Sequence, residues 1–526
     1  MPCTLKRALG AALFPLLLAS AVQAADLTIG LSTPVTSLDP HFHNLTPNNS
    51  LNRHVFETLI RQDESQRMQP GLAESWKALN DLEWEIKLRK GVKFHNGQEF
   101  TADDVIATFK RVPNVPNSPA SFAFFVRPIV DIKAADKHTL RLKTDKPHPL
   151  LPNDLGAIMI LPKAVAEAAK TEDFNSGKLM IGTGPYRFTE YVAGDRVALK
   201  RNDAYWGAKP QWENVRFKMI PSAPARVAAL LAGDVQMIEG VPTADIAKLS
   251  KDGRVDLSSA VSNRIIYLHM DSGREKNSPF VTTTDGKPME ANPLRDPKVR
   301  KAISKMVDRD AIVSRIMEGQ AVAAGQLLPE QFFGTSKALK PEKYDPEGAK
   351  KLLAEAGYPN GFGITLHAPN NRYINDAAIA QAVAQYLTRN GIPTKVETMP
   401  SNVFFSRGSK LEFSFLLAGW GAETGETSSP LRALLATFDQ KQGLGTANRG
   451  RFSDAGVDAL IAQATTTIDD TKRGIMLGRA SDKAVGELTG LVPLHYEVST
   501  WGTKKGLTYK ARADQYTFAY DVKSTR

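Results

Sequence analysis

The sequence predicts an α/β protein of two to four domains, and three features carry that expectation. The chain has 526 residues, more than one hydrophobic core usually organises. Helix-start and helix-stop signals recur along it. Within 361–420, strand-like runs alternate with helix-like runs, the pattern of a mostly parallel sheet covered by helices.

Taken in order, Thr101-Ala-Asp-Asp104 before Val105 and Phe109 predicts a capping box opening a helix. Asp296-Pro297 supplies an N-cap and a proline at the first helical position, and Val299, Ile303, Met306 and Val307 follow at helical spacing. Asp345-Pro346 repeats that start, and Gly357 is placed to end the helix in a left-handed turn. Ile364 and Leu366 alternate with Thr365 and His367 as in a strand. Ile379, Val383, Tyr386 and Leu387 have helical period, and Asn390-Gly391 closes that helix. A second strand is expected over 392–398, and a buried third strand over the apolar run 413–418.

The N-terminus reads as a secretory signal. Lys6 and Arg7 precede an apolar run, and Val22-Gln23-Ala24 offers small residues for cleavage after Ala24. The run is shorter than the roughly 20 residues a spanning helix needs. Export to a periplasm is expected, leaving 526 − 24 = 502 residues. The only cysteine, Cys3, lies before the apolar run. A lipid anchor at the cleavage site and a cysteine nucleophile in the mature chain are therefore not expected. The formal charge is +11, spread over 67 basic and 56 acidic residues with only short basic clusters. That argues against nucleic acid as a partner.

No catalytic constellation is visible: no G-x-S-x-G, no H-E-x-x-H and no phosphate-binding G-x-x-x-x-G-K. Gly182-Thr-Gly184 runs into Pro185 and Tyr186, so it reads as a turn and not a dinucleotide loop. His41-Phe-His43 would share one face in an extended segment. It reads as a surface or cleft pair, with metal or haem coordination as the alternative. No cofactor and no metal site is expected.

Ligands of open α/β sheets sit beyond the carboxyl ends of strands. Two stretches fall there: Ala368-Pro-Asn-Asn-Arg-Tyr373 and Gly419-Trp-Gly-Ala-Glu-Thr-Gly-Glu426. Arg372, Trp420 and Glu423 are thus candidates to face one cleft, or else Arg372 and Glu423 are loop charges that pair with each other. Glu426 is a control for Glu423 if it faces solvent.

Four stretches resemble one family. They are Ser37-Leu-Asp-Pro40 with Val55-Phe-Glu-Thr-Leu59; Leu88-Arg-Lys-Gly-Val-Lys-Phe-His-Asn-Gly97 with Phe100-Thr-Ala-Asp-Asp-Val105; Gly182-Thr-Gly-Pro-Tyr186 with Arg201-Asn-Asp-Ala-Tyr-Trp206; and Leu294-Arg-Asp-Pro-Lys-Val-Arg-Lys-Ala-Ile303 with Val307, Asp308 and Arg309. Together they are similar to the periplasmic solute-binding proteins of dipeptide, oligopeptide and nickel ABC importers, from about residue 26 to the end. The resemblance implies a two-lobed periplasmic-binding-protein clamp of type II with an extra domain, closing through a hinge. It implies domain I at 25–56, 179–264 and 489–526, domain II at 57–178 and domain III at 265–488. Pro493-Leu-His-Tyr496 fits the last return to domain I.

By the same resemblance Glu423, beside Gly419, Trp420 and Gly421, matches the acid that grips a ligand ammonium. A glutamate replaces the usual aspartate there. Asn44, Leu45 and Thr46 match a segment that touches peptide backbone, Arg372 matches an arginine suited to a ligand carboxylate, and Tyr496 is a candidate aromatic wall. The expected partners are a peptide-like small solute and the membrane permease of an importer, with the protein a monomer. A nickel or haem complex is the alternative ligand, favoured only if His41 and His43 face the cleft. A periplasmic hydrolase, or a secreted chaperone or adhesin, would be the readings from other classes.

Overall fold

The computed structural model describes residues 26–525, so the expected leader and its cleavage after Ala24 lie outside the described residues. Two long antiparallel strands form its spine, Val255–Met270 and Val492–Lys504, of 16 and 13 residues. The run Ile265–Met270 is wholly buried, as a strand covered on both faces must be.

A 12-stranded sheet grows from this spine in both directions. On one side Phe415–Gly421 pairs with the spine, then comes Gly363–Pro369, flanked by Thr394–Met399 and Val281–Thr282. On the other side lie Met237–Ile238, Asp26–Leu31, Asn214–Met219, Arg196–Arg201 and Tyr186–Val192. The strands Gly363–Pro369, Thr394–Met399 and Phe415–Gly421 are parallel to one another, as the alternating pattern predicts, but Phe415–Gly421 is antiparallel to the spine. The large sheet is thus mixed.

A separate four-stranded antiparallel sheet occupies Ala73–Asn80, Glu83–Leu88, Thr139–Thr144 and Ile129–Asp136. Trp84, Ile86, Leu140 and Leu142 bury one of its faces against Val105 and Phe109 of the helix Ala102–Arg111. Further cores gather around Ile29, Phe217 and Trp501, and around Ile303, Leu366, Val383 and Phe415. No helix among the described residues is long and apolar enough to cross a membrane.

The local signals act as the sequence suggests. Asp104 accepts from the Thr101 N–H at 2.8 Å and from its hydroxyl at 3.1 Å, opening Ala102–Arg111. Asp296 and Asp345 accept from Lys298 N–H and Gly348 N–H, starting Pro297–Met306 and Pro346–Glu355. Gly357 adopts φ +88°. Gly182 is required by close approach: a Cβ there would stand 1.9 Å from the Val55 carbonyl oxygen.

Two expectations need correction. The third strand is Phe415–Gly421, so Trp420 and Gly421 end the strand and do not follow it. The reason is pairing, since Ile265 and Arg264 of the spine continue the ladder opposite them. His41-Phe-His43 is a turn, not an extended segment. His41 is buried, with Nε2 at 2.8 Å from the Met159 carbonyl and Nδ1 at 2.9 Å from Arg111, while His43 Nδ1 lies 2.9 Å from the Thr36 hydroxyl. The two rings do not share a face.

Candidate functional site

The spine pairing is irregular at two places, between Val261 and Ile265 and between Ile266 and Tyr267, and the first is the larger. Between Val261 and Ile265, Ser262, Asn263 and Arg264 bulge from the pairing with Val492–Lys504, while Arg264 stays paired with Gly421 on its other side. A bulge re-aims side chains and bends the strand. Here it directs Asn263 and Arg264 into a cleft beside the end of Phe415–Gly421. Asn263 Nδ2 donates to the Ala422 carbonyl and to Gln66 Oε1, both at 2.9 Å. Arg264 donates to Gln515 Oε1 at 3.1 Å and stands 3.4 Å from the Glu497 carboxylate.

The cleft holds two chambers that meet at Glu423. One, of about 270 Å³, is lined by Arg372, Tyr373, Gly419, Trp420, Gly421 and Glu423, with Asn44, Leu45 and Thr46 on the facing wall. The other, of about 580 Å³, shares Asn44, Trp420, Gly421 and Glu423 and extends past Phe124, Phe125 and Leu150 to Arg432. A narrow space of about 30 Å³ behind Glu423 reaches Arg53 and Tyr516.

Each charged group is set by its local chain. After the strand Gly363–Pro369, Asp376 accepts the N–H groups of Arg372 and Tyr373 at 2.9 and 3.1 Å. The Tyr373 hydroxyl donates to the Gly419 carbonyl at 3.1 Å, tying the two strand-end loops together. The Arg372 guanidinium stands 5.4 Å from the Tyr373 ring and has no hydrogen-bond partner among the described residues. Arg372 and Glu423 do not pair with each other among the described residues.

The Glu423 loop is held from across the cleft by amides. The carbonyls of Ala422 and Glu423 accept from Gln66 at 3.3 and 3.1 Å, that of Glu423 also from Gln62 at 3.2 Å, and that of Thr424 from Asn153 at 2.8 Å. Solvent reaches the Glu423 and Arg372 side chains through the cleft mouth. Surrounding protein nevertheless crowds them. Desolvation pushes the Glu423 carboxyl above the usual range, opposed by Arg53, Arg264 and an Asn44 hydrogen bond. Desolvation also depresses the Arg372 guanidinium, with Arg264 adding repulsion.

Of the candidates named from sequence, Glu423, Trp420, Gly419, Gly421, Arg372, Asn44, Leu45 and Thr46 line one chamber. Tyr496 is not among its lining residues. It is buried, and its hydroxyl donates to the Gln326 and Leu328 carbonyls, both at 2.8 Å. His41 and His43 line neither chamber. Among the described residues no group of three or more His, Cys, Asp or Glu is placed to hold a metal ion.

Glu426 does not face solvent. It is buried, ion-paired with Arg473 and bonded to the Ser428 hydroxyl. Asn263, Arg264, Arg449 and Tyr516 also line the first chamber and were not legible in sequence. They arrive through a bulge and through chain returns that leave no periodic signal.

The chain matches the family model described as bacterial extracellular solute-binding proteins, family 5, middle, over residues 67–442. It is 30% identical over 432 residues to the dipeptide-binding protein of Escherichia coli, covering 77% of this chain and 76% of that one. It is 28% identical over 481 residues to the glutathione-binding protein GsiB of Pectobacterium atrosepticum, covering 89% and 88%. The structure of the periplasmic binding protein AgaA from A. tumefacien, in complex with agropinic acid, is similar at a TM-score of 0.75 and 26% identity, covering 95% of this chain and 98% of that one.

Proposed function

Because the chain belongs to the bacterial extracellular solute-binding proteins, family 5, we propose that it captures a peptide-like zwitterion between two lobes and delivers it to the permease of an ABC importer. The observation that carries this reading is the pair of unlike charges in one 270 Å³ chamber, Glu423 and Arg372, neither paired with the other. A carboxylate meets the solute's ammonium, and a guanidinium fork meets its carboxylate. Tyr373 and Trp420 supply flat walls, and the bulged Asn263 and Arg264 close the floor. Relatives named for dipeptide and glutathione binding support the same ligand class. Export to the periplasm and action as a monomer belong to this reading.

The hinge runs through the bulge at 262–264, where the spine strands cross from one lobe to the other. By this reading 57–178 forms one domain and 265–488 another, and the remaining segments form the domain from which both spring. No reaction is part of the proposal. Among the described residues no serine hydroxyl shares a hydrogen bond with a histidine, and of the serines that share a chamber with Glu423, Ser428 is bonded to Glu426, Ser429 to Trp420 and Ser121 to the Ala123 N–H.

The test is calorimetric titration with whatever solute co-purifies. Truncating one partner of a buried charge pair costs about 2–5 kcal/mol, and each decade of affinity is about 1.4 kcal/mol. Glu423→Gln should weaken binding by about thirtyfold to a few thousandfold. Unchanged affinity would return Glu423 to the status of a loop charge. Hydrolysis of the solute during incubation would overturn the assignment as a carrier.

A further inference from the structure

The second chamber contains a cation that the zwitterion reading does not use. Arg432 lines the 580 Å³ chamber together with Glu423. Its guanidinium lies 5.4 Å from the Phe124 ring. Among the described residues it makes no hydrogen bond and no ion pair. The carboxylates that face it are Asp154 and Glu426, and both are already engaged. Asp154 is bonded to His148 at 2.6 Å, and Glu426 to Arg473 and Ser428. The rest of the wall is apolar or neutral and includes Phe125, Leu150, Ala433, Ser429 and Thr446.

The first chamber repeats the imbalance. Arg372 has no partner, and Arg449 stands 5.2 Å from the Phe405 ring with its Nε buried and unbonded. Asp514 in that chamber is committed to Arg512. Glu423, held only by an Asn44 hydrogen bond, is thus the one lining carboxylate without an ion-pair or histidine partner among the described residues, against unpaired guanidiniums in both chambers.

A guanidinium offers five donors and accepts nothing. Enclosing it against a neutral group leaves donors unmatched in a water-poor site, and that is costly. An anion placed there is matched in charge and shape.

We propose that the solute carries a second anionic group on a branch that enters the 580 Å³ chamber, where Arg432 receives it. Glu423, shared by both chambers, then marks the branch point. The ammonium sits on Glu423, the α-carboxylate branch runs to Arg372, and an acidic side chain of the first residue runs to Arg432. Arg432 is a specificity-determining residue, and the preferred solutes are acidic at their first residue. This inference rests on the peptide-like reading of the cleft given above.

The test uses synthetic dipeptides on protein freed of co-purified solute by unfolding and refolding. Glu-Ala, Gln-Ala and Ala-Ala are titrated into the natural chain and into Arg432→Gln. The expected result is Glu-Ala binding about tenfold or more tighter than its neutral isostere Gln-Ala. In Arg432→Gln that ratio should fall toward one. Arg432→Lys, which keeps the charge, should retain part of it and guards against a fold defect. Equal affinity for Glu-Ala and Gln-Ala in the natural chain would overturn the inference while leaving the peptide reading intact. A preference that survives in Arg432→Gln would assign the anion to another residue and overturn it equally. Failure of all three dipeptides to bind would sink the peptide reading, and this inference with it.

Discussion

Glu423 and Glu426 stand three residues apart in one loop and have different tasks. Glu423 lines both chambers, with its carboxylate open to the cleft. Glu426 is buried between Arg473 and the Ser428 hydroxyl, and Arg473 also packs 4.3 Å from the Phe333 ring. Sequence alone cannot separate them, because both are glutamates in a glycine-bearing turn and burial depends on the distant Arg473. The consequences of substitution should divide accordingly. Breaking a buried ion pair from one side costs about 3–5 kcal/mol when the other charge is left without a counterion, but Arg473 keeps a second partner in the exposed Asp470 at 2.7 Å. Glu426→Gln removes the charge, keeps the shape and leaves Asp470 on Arg473, so a loss of about 1–3 kcal/mol in unfolding free energy is expected. Glu423→Gln should leave stability within about 0.5 kcal/mol and act on binding. Urea unfolding of both variants checks this, and equal midpoints would show that the Glu426–Arg473 pair contributes nothing net.

Secondary elements were the most legible level. The Asp296 and Asp345 starts, the capping box at Thr101 and the turn at Gly357 are local chemistry, readable from neighbours in sequence. The strand that ends at Gly421 was read three residues short, because its extension depends on pairing with Arg264 and Ile265, more than 150 residues earlier. The bulge at 262–264 was invisible for the same reason: a bulge is a relation between two strands, and neither strand announces it. His41 misled because alternation predicts a shared face only in extended chain, and this segment turns. One further inter-element device follows from the structure. Gln66 clasps the Glu423 loop from across the cleft, donating to two carbonyls and accepting from Asn263. Gln66→Ala removes those bonds from a polar cleft where water replaces them, so the fold should survive. The closed arrangement should weaken by about 1–2 kcal/mol, since each such bond contributes about 0.5–1.5 kcal/mol net. The variant should show a larger radius of gyration in solution scattering at subsaturating solute, and a solute affinity lower by about fivefold to thirtyfold. Natural scattering and natural affinity together would mean that Gln66 does not hold the lobes.

At the scale of the whole molecule, the buried histidines set the response to acid. His54, His95 and His495 are held down to about 4 by burial, and His269 to about 3. His41 is also held to about 4, by burial and by the neighbouring Arg111. They are distributed across the cores and not gathered at one surface. His54 packs among Tyr186, Phe217 and Phe518, and His495 sits in the spine strand opposite Ile266. In the unfolded chain each would titrate near 6.5. Below that value the unfolded chain binds protons that the native chain refuses, so stability rises with pH through this window and is lost on acidification from 6.5 toward about 4. For one such group the loss between pH 7 and pH 5 is about 2 kcal/mol. Glu57, Asp104, Asp154, Glu423, Glu426 and Asp521, whose carboxyls burial raises, work in the opposite direction from the carboxylate range upward and offset part of that loss. The histidine share of stability is therefore expected to fall on acidification to about pH 5, by about 2 kcal/mol for each such ring. The measurement is urea unfolding at both pH values, repeated with His495→Leu. Both His495 ring nitrogens lack hydrogen-bond partners in the fold, so the substitution removes one titrating group without orphaning a neighbour. It should lessen the acid-induced loss by about one histidine's share. An acid-induced loss left unchanged by His495→Leu would show that the ring takes its proton as readily in the native state as in the unfolded chain, and that the burial argument fails for it.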